Sequence, residues 1–160
     1  FMQEEIDAHD RFMITLEWLM ALHERNPEAL NFGLINVCFH NRESLGNTYG
    51  AKQALDMLCL LAKQLRHAFR KTDLVAREGN DFWILVPYTS PQSVTERVTQ
   101  LVELASDNGL DIVDRDLAVF NIPNPELLGN TALVTPAKLL EYLKNNRQIA
   151  FRWEHASLTN

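Results

Sequence analysis

The stretch that offers the most chemistry is short: Arg70, Asp73 and Arg77, followed by Asp81 beyond a Gly79-Asn80 pair. An arginine guanidinium is a planar fork of donors that fits a pair of acceptors or a phosphate, and a carboxylate accepts what such a fork donates. Arg77 lies four residues after Asp73, so the two-residue period of a strand puts both on one face. The same four-residue signature is also what an exposed salt bridge at a helix-to-strand junction looks like, worth about 0–1 kcal/mol. Asp81 taken alone reads as a solvated turn residue. Cys38 and His40 share a strand face and could supply half of a zinc site, but no second pair has suitable spacing, so a buried cysteine and a strand-end histidine are expected.

Composition narrows what these residues could serve. The chain has 160 residues with 46% apolar content, enough for one domain with a real core. A formal net charge of −6 leaves no general basic field for DNA or RNA, although a local basic patch stays open. No apolar run approaches a membrane span, the N-terminus lacks the layout of a signal peptide, and two cysteines make no disulfide framework. A cytoplasmic domain without direct membrane contact is therefore expected, possessing a core of its own. Beginning with Phe1, the chain is expected to be a piece of a larger multidomain protein.

The elements that must position these side chains follow from periodicity. Phe12, Leu16, Leu19 and Met20 form the stripe of a first helix from Ile6 to about Arg25, ended by Asn26-Pro27. Trp18 on that helix is read as core. Phe32 to Phe39 reads as a buried strand, with a polar stretch from Asn41 to Ser44 after it and a turn at Thr48-Tyr49-Gly50. Ala51, Leu55, Leu58, Ala62, Leu65 and Phe69 trace one face of the clearest helix. Asp73–Glu78 and Asp81–Pro87 form a hairpin with its tip at Gly79-Asn80. Phe82 and Trp83 face opposite ways, one expected in the core and the other over a cleft or partner surface. Ser90 caps a helix that Asn108-Gly109 ends, Leu110 to Ile122 is a long strand candidate, and Pro123 to Thr135 is loop. Thr135-Pro136 opens a last helix to about Asn146, and Ile149 to Trp153 closes the chain as a strand. The order is that of a single α/β (α+β) sandwich, with a mostly antiparallel sheet of about five strands flanked by helices.

At this point the hairpin acquires a likeness. FRKTDLVAREGNDFWILVP, from Phe69 to Pro87, resembles the hairpin of the GGDEF family, the bacterial diguanylate cyclase domain that makes cyclic di-GMP, with Arg70, Asp73, Arg77, Gly79 and Asp81 at matching positions. LGNTYGAKQALDML stands where the family has a second motif, and the likeness covers nearly the whole chain from about Asp7. It implies the GGDEF fold, related to nucleotide cyclase and polymerase palm domains.

The likeness also implies damage. Active members hold divalent cations with two carboxylates, because Mg²⁺ wants hard oxygen ligands. The first of these positions falls on Cys38 and the second on Asp81, with Phe82 in place of the neighbouring acidic residue. The residues that read the guanine edge fall on Gly46 and Leu55, neither with a side-chain hydrogen bond to offer, and a phosphate-side lysine falls on Glu43. Asn80 replaces a turn glycine, and Lys144 and Arg147 stand three apart where the family's phosphate-holding pair stands four apart. The expectation is a degenerate domain with no catalysis, no metal and no cofactor.

What survives is the RxxD element, which in the family forms the inhibitory site for cyclic di-GMP. The resemblance implies a non-catalytic cyclic di-GMP receptor in bacterial signal transduction, with Arg70, Asp73, Arg77 and Arg97 as ligand-binding residues. A looser likeness is to the cyclic di-GMP receptor domain of the Pel exopolysaccharide system, implying regulation of biofilm polymer. The alternatives are a nucleotide-independent interaction or dimerisation module, and a GTP-binding pseudoenzyme. Expected partners are cyclic di-GMP, adjacent domains or a protein partner, and a second copy in a homodimer.

Overall fold

The computed structural model describes residues 2–28, 30–39, 42–78, 81–87, 90–127 and 135–150. Among these residues nine main elements run in the order α1 (Met2–Arg25), β1 (Phe32–Cys38), α2 (Arg42–Tyr49), α3 (Ala51–Ala68), β2 (Leu74–Glu78), β3 (Asp81–Pro87), α4 (Pro91–Asp107), β4 (Leu117–Ile122) and α5 (Pro136–Asn145). Among the described residues no helix is long and apolar enough to cross a membrane.

The strands form one sheet in the order β2-β3-β1-β4, every pairing antiparallel. Because side chains alternate along a strand, each strand feeds two cores. Ile35, Val37, Val75, Phe82, Ile84 and Val119 point to one side, under Leu58, Leu61 and Leu65 of α3 and Val94, Val98 and Leu101 of α4. Leu34, Ala76, Trp83, Leu85 and Phe120 point to the other, under Phe12 and Leu16 of α1 and Leu139, Leu140 and Leu143 of α5. The sandwich is as expected, with four strands among the described residues. Phe82 and Trp83 do face opposite ways, but both are buried, so neither covers a cleft.

The helix boundaries follow local chemistry. Ser90 Oγ accepts from the Ser93 N–H at 3.1 Å and Thr135 Oγ1 from the Lys138 N–H at 3.2 Å, each cap standing before a proline-led helix. Gly109 ends α4 at φ 77°, in the left-handed region that favours glycine.

Several expectations need correction. Arg42–Tyr49 is the helix α2, where the polar composition suggested a connecting stretch and turn. The long strand from Leu110 shrinks to Leu117–Ile122, because the Asp116 N–H donates to the Val113 carbonyl at 2.9 Å to close a 3-10 turn at Asp114–Asp116, and Asp116 Oδ2 accepts from the Val113 N–H at 3.0 Å. On α3 the buried face runs through Ala54, Leu58, Leu61, Ala62 and Leu65, which leaves Ala51 outside and Leu55 44% exposed. Trp18 is not core: it is 62% exposed on the side of α1 away from Phe12 and Leu16. Arg147–Ile149 is a 3-10 turn, and the remainder of the expected closing strand, Phe151 to Trp153, lies outside the described residues, as do His40 and the Gly79-Asn80 tip.

Candidate functional site

Two polar clusters occupy different ends of the sheet. The first is built where α3 gives way to β2. Phe69 ends the helix in an extended conformation, and the Asp73 N–H bonds to the Arg70 carbonyl at 2.9 Å, a tight turn across the four residues of the RxxD element. That turn points the Asp73 side chain inward and leaves Arg70 exposed. From α4, Arg97 reaches Asp73 with two parallel bonds, Nε to Oδ2 at 3.0 Å and Nη2 to Oδ1 at 3.1 Å, the side chains being 9% and 1% exposed. Arg97 Nη1 also donates to the Ser93 carbonyl at 3.3 Å.

A burial this deep is tolerable only because each charge is matched by a fork of good geometry. Around the pair opens a cleft of about 130 Å³ lined by Ala68, Phe69, Arg70, Asp73, Glu96, Arg97 and Gln100. Arg70 stands at its rim with Lys71 next in the chain, also exposed. Arg97 thus lines one cleft with Arg70 and Asp73.

Arg77 does not join them. It is on the side of β2 expected from the two-residue period, but about 13 Å along the chain from Asp73 at strand spacing. Its Nη2 donates to Glu5 Oε2 at 2.9 Å, its Nε lies 3.3 Å from the same oxygen, and the Cys59 thiol donates to that carboxylate at 3.6 Å. Arg77 therefore ties α1 and α3 to the edge strand β2 and does not line the cleft. Glu5 beside it raises its pKa above the ordinary arginine value, against the opposing effect of burial.

The second cluster sits at the paired ends of β1 and β3, where Cys38 and Asp81 are register partners. Asp81 is 4% exposed, and the Lys144 ammonium of α5 donates to its Oδ2. Arg147, in the turn after α5, donates to Asn36 Oδ1, and Asn36 Nδ2 in turn donates to the Phe82 carbonyl at 3.2 Å. Lys144 and Arg147 thus converge on one strand end despite their three-residue spacing. Burial raises the Cys38 thiol above its ordinary pKa, and the Asp81 carboxylate beside it raises it further, while Lys144 and Arg147 act in the opposite sense. Burial lowers the Arg147 guanidinium from its ordinary value, with Cys38, Asp81 and Asp116 opposing.

This donor set does not fit a magnesium ion. Mg²⁺ takes hard oxygens in near-octahedral order, and here one carboxylate, already holding an ammonium, faces a protonated thiol. Among the described residues no cluster of three metal-ligating side chains exists. Of the other positions matched to the active site, Phe82 is buried in the core, Gly46 lies on α2, and Leu55 is exposed on α3. The side chain of Glu43 lies outside the description.

The comparisons agree with this architecture. The family described as "Diguanylate cyclase, GGDEF domain" matches residues 8–111. The chain belongs to the GGDEF family. Among solved structures, the GGDEF domain of YfiN (TpbB) from Pseudomonas aeruginosa superimposes with a TM-score of 0.60 at 17% identity, covering 88% of this chain and 86% of that one. The active GGEEF domain of a diguanylate cyclase from Vibrio cholerae gives 0.55 at 14% identity, covering 71% and 74%. A sensory box/GGDEF family protein from Caulobacter crescentus gives 0.54 at 14% identity, covering 84% and 87%. No curated protein sequence matches the chain.

Proposed function

We propose that this GGDEF domain is a non-catalytic receptor that binds cyclic di-GMP at the Arg70–Asp73–Arg97 cleft. The observation that carries the reading is the two-point Asp73–Arg97 pair, which fixes one guanidinium at the wall of an open cleft while Arg70 stays exposed at the rim. Arg97 uses three of its five N–H groups on Asp73 and Ser93, so two remain for a guanine edge or a phosphate. Asp73 acts chiefly by holding Arg97. Arg77, bound to Glu5, has a structural part in this reading.

The absence of turnover in this proposal rests on the strand ends. The ammonium of Lys144 neutralises Asp81 where an active member would place a divalent cation, and Cys38 offers sulfur for oxygen. Ligand binding would then act by shifting populations of a partner or neighbouring domain, in the manner of the exopolysaccharide receptor domains the sequence resembles. A second reading, GTP binding without turnover, draws on the convergence of Lys144 and Arg147 on that strand end. Equilibrium binding of cyclic di-GMP and of GTP to the wild type and to Arg70→Ala separates the two. Cyclic di-GMP binding weakened by the substitution supports the receptor, and GTP binding alone supports the second reading.

A further inference from the structure

The helix α1 carries a seam that the fold does not use. Asp7, Arg11, Ile14, Trp18, Ala21 and Arg25 recur at alternating four- and three-residue steps, and all six are exposed. At about 100° per residue they fall within one narrow stripe, nearly opposite Phe12 and Leu16, which pack on the sheet. Ile14 is 67% and Trp18 62% exposed, a large apolar pair with polar ends. A stripe with this stepping is the pattern that lets one helix pack along another.

The order of residues along the stripe selects the occupant and its direction. In a parallel pairing of two copies, Asp7 would meet Asp7, Arg11 would meet Arg11 and Arg25 would meet Arg25, three like-charge layers. Reversing one copy about a two-fold axis beside Leu16 sets Asp7 opposite Arg25, Arg11 opposite the small Ala21, and Ile14 opposite Trp18. Each charged end of the apolar centre then meets its opposite, and the bulky indole meets an aliphatic side chain. Asp10, Glu17 and Glu24 flank one side of the stripe and would face their copies there, with Arg11 and Arg25 adjacent to offset them.

We propose that a second copy of this chain docks antiparallel along α1 through this seam, with Trp18 packed on Ile14 of the partner and Asp7 paired with Arg25. A single helix pair is a small interface, so the association is weak and concentration-dependent. It is independent of the cyclic di-GMP reading, since α1 does not line the Arg70 cleft.

Sedimentation of the 160-residue chain from micromolar to near-millimolar concentration tests it. The average mass is expected to rise toward that of a dimer, and Trp18→Glu, at an exposed position, to weaken association at least tenfold with an unchanged circular dichroism spectrum. Asp7→Arg and Arg25→Asp are each expected to weaken it severalfold, and the double variant to restore it to near the wild-type value, because the pair is then only reversed. A monomer at every concentration overturns the proposal, as does a dimer indifferent to Trp18→Glu. A double variant as weak as the single ones overturns the antiparallel arrangement.

Discussion

Arg97 and Asp73 meet fork to fork, at 3.0 and 3.1 Å, across the junction of α4 and the turn that enters β2. They are 24 residues apart in the chain and nearly excluded from solvent. The pair does two jobs: it satisfies the one buried carboxylate of the RxxD turn, and it holds a guanidinium at the wall of the cleft that Arg70 borders.

Removing either partner should leave the other charge buried and uncompensated. Arg97→Ala and Asp73→Ala are each expected to lower stability by about 3 kcal/mol, and the double variant by clearly less than their sum. Urea denaturation of the four proteins measures this. Strictly additive losses would show that the two side chains do not depend on each other. Arg70→Ala, at an exposed position, should leave stability unchanged, which makes it the cleaner probe of binding.

Lys144 stands to Asp81 as a resident cation. Lys144→Ala should lower stability by about 2 kcal/mol, the order expected when a buried acceptor loses its charged donor. Millimolar MgCl₂ should leave the melting temperature of the wild type unchanged, and incubation with GTP and either Mg²⁺ or Mn²⁺ should yield no cyclic dinucleotide. A melting temperature that climbs with Mg²⁺, or product that disappears in Asp81→Ala, would contradict this account of the strand ends.

Both thiols are held above their ordinary pKa, Cys59 first by burial with Glu5 also contributing, and Cys38 by burial and Asp81. The sign follows from the neutral form being favoured in the folded state. Their contribution is fully present below the unfolded thiol pKa of about 8.5 and is lost as pH rises through the folded values, so stability should decline on that alkaline side. Native Cys38 and Cys59 should also alkylate much more slowly at pH 8 than in urea. Equal rates in the two states would contradict the burial.

Gly109 adopts φ 77°, and a Cβ there would stand 3.2 Å from Met57 Cε. Gly109→Ala should therefore cost about 1 kcal/mol in a melting or urea experiment. Gly50→Ala, at φ 84° and ψ 153° in a region essentially restricted to glycine and with open space around it, tests backbone strain alone and should cost more. The opposite ranking would mean that the Met57 contact at Gly109 outweighs the backbone strain at Gly50.

What could be read from the chain divides by distance along it. The caps at Ser90 and Thr135, the hairpin and the apolar stripe of α1 are set by neighbours a few residues apart, and they appear where periodicity and capping chemistry place them. Arg97 is expected only through the family likeness, as a helical arginine after the hairpin, and its pairing with Asp73 across 24 residues is not announced by any spacing. Asp81 and Lys144 lie 63 residues apart, and Asn36 and Arg147 lie 111 apart, so no spacing rule announces them. Trp18 misled for a different reason: a large aromatic is more often inside, and only the stepping of Ile14, Trp18 and Ala21 opposite Phe12 and Leu16 reveals that it faces out. Arg77 lies on the face its period predicts, yet α1 folds across the edge of β2 and supplies Glu5, a neighbour that no feature of the hairpin foretells.

The central claim is tested most directly by calorimetric titration of cyclic di-GMP into the domain, with GTP plus Mg²⁺ as control and Arg70→Ala as comparator. The account predicts saturable binding of micromolar affinity or tighter, about −8 kcal/mol or better, weakened at least tenfold in Arg70→Ala. An absence of heat and of competition at saturating cyclic di-GMP, in a protein that is folded and melts cooperatively, would contradict it.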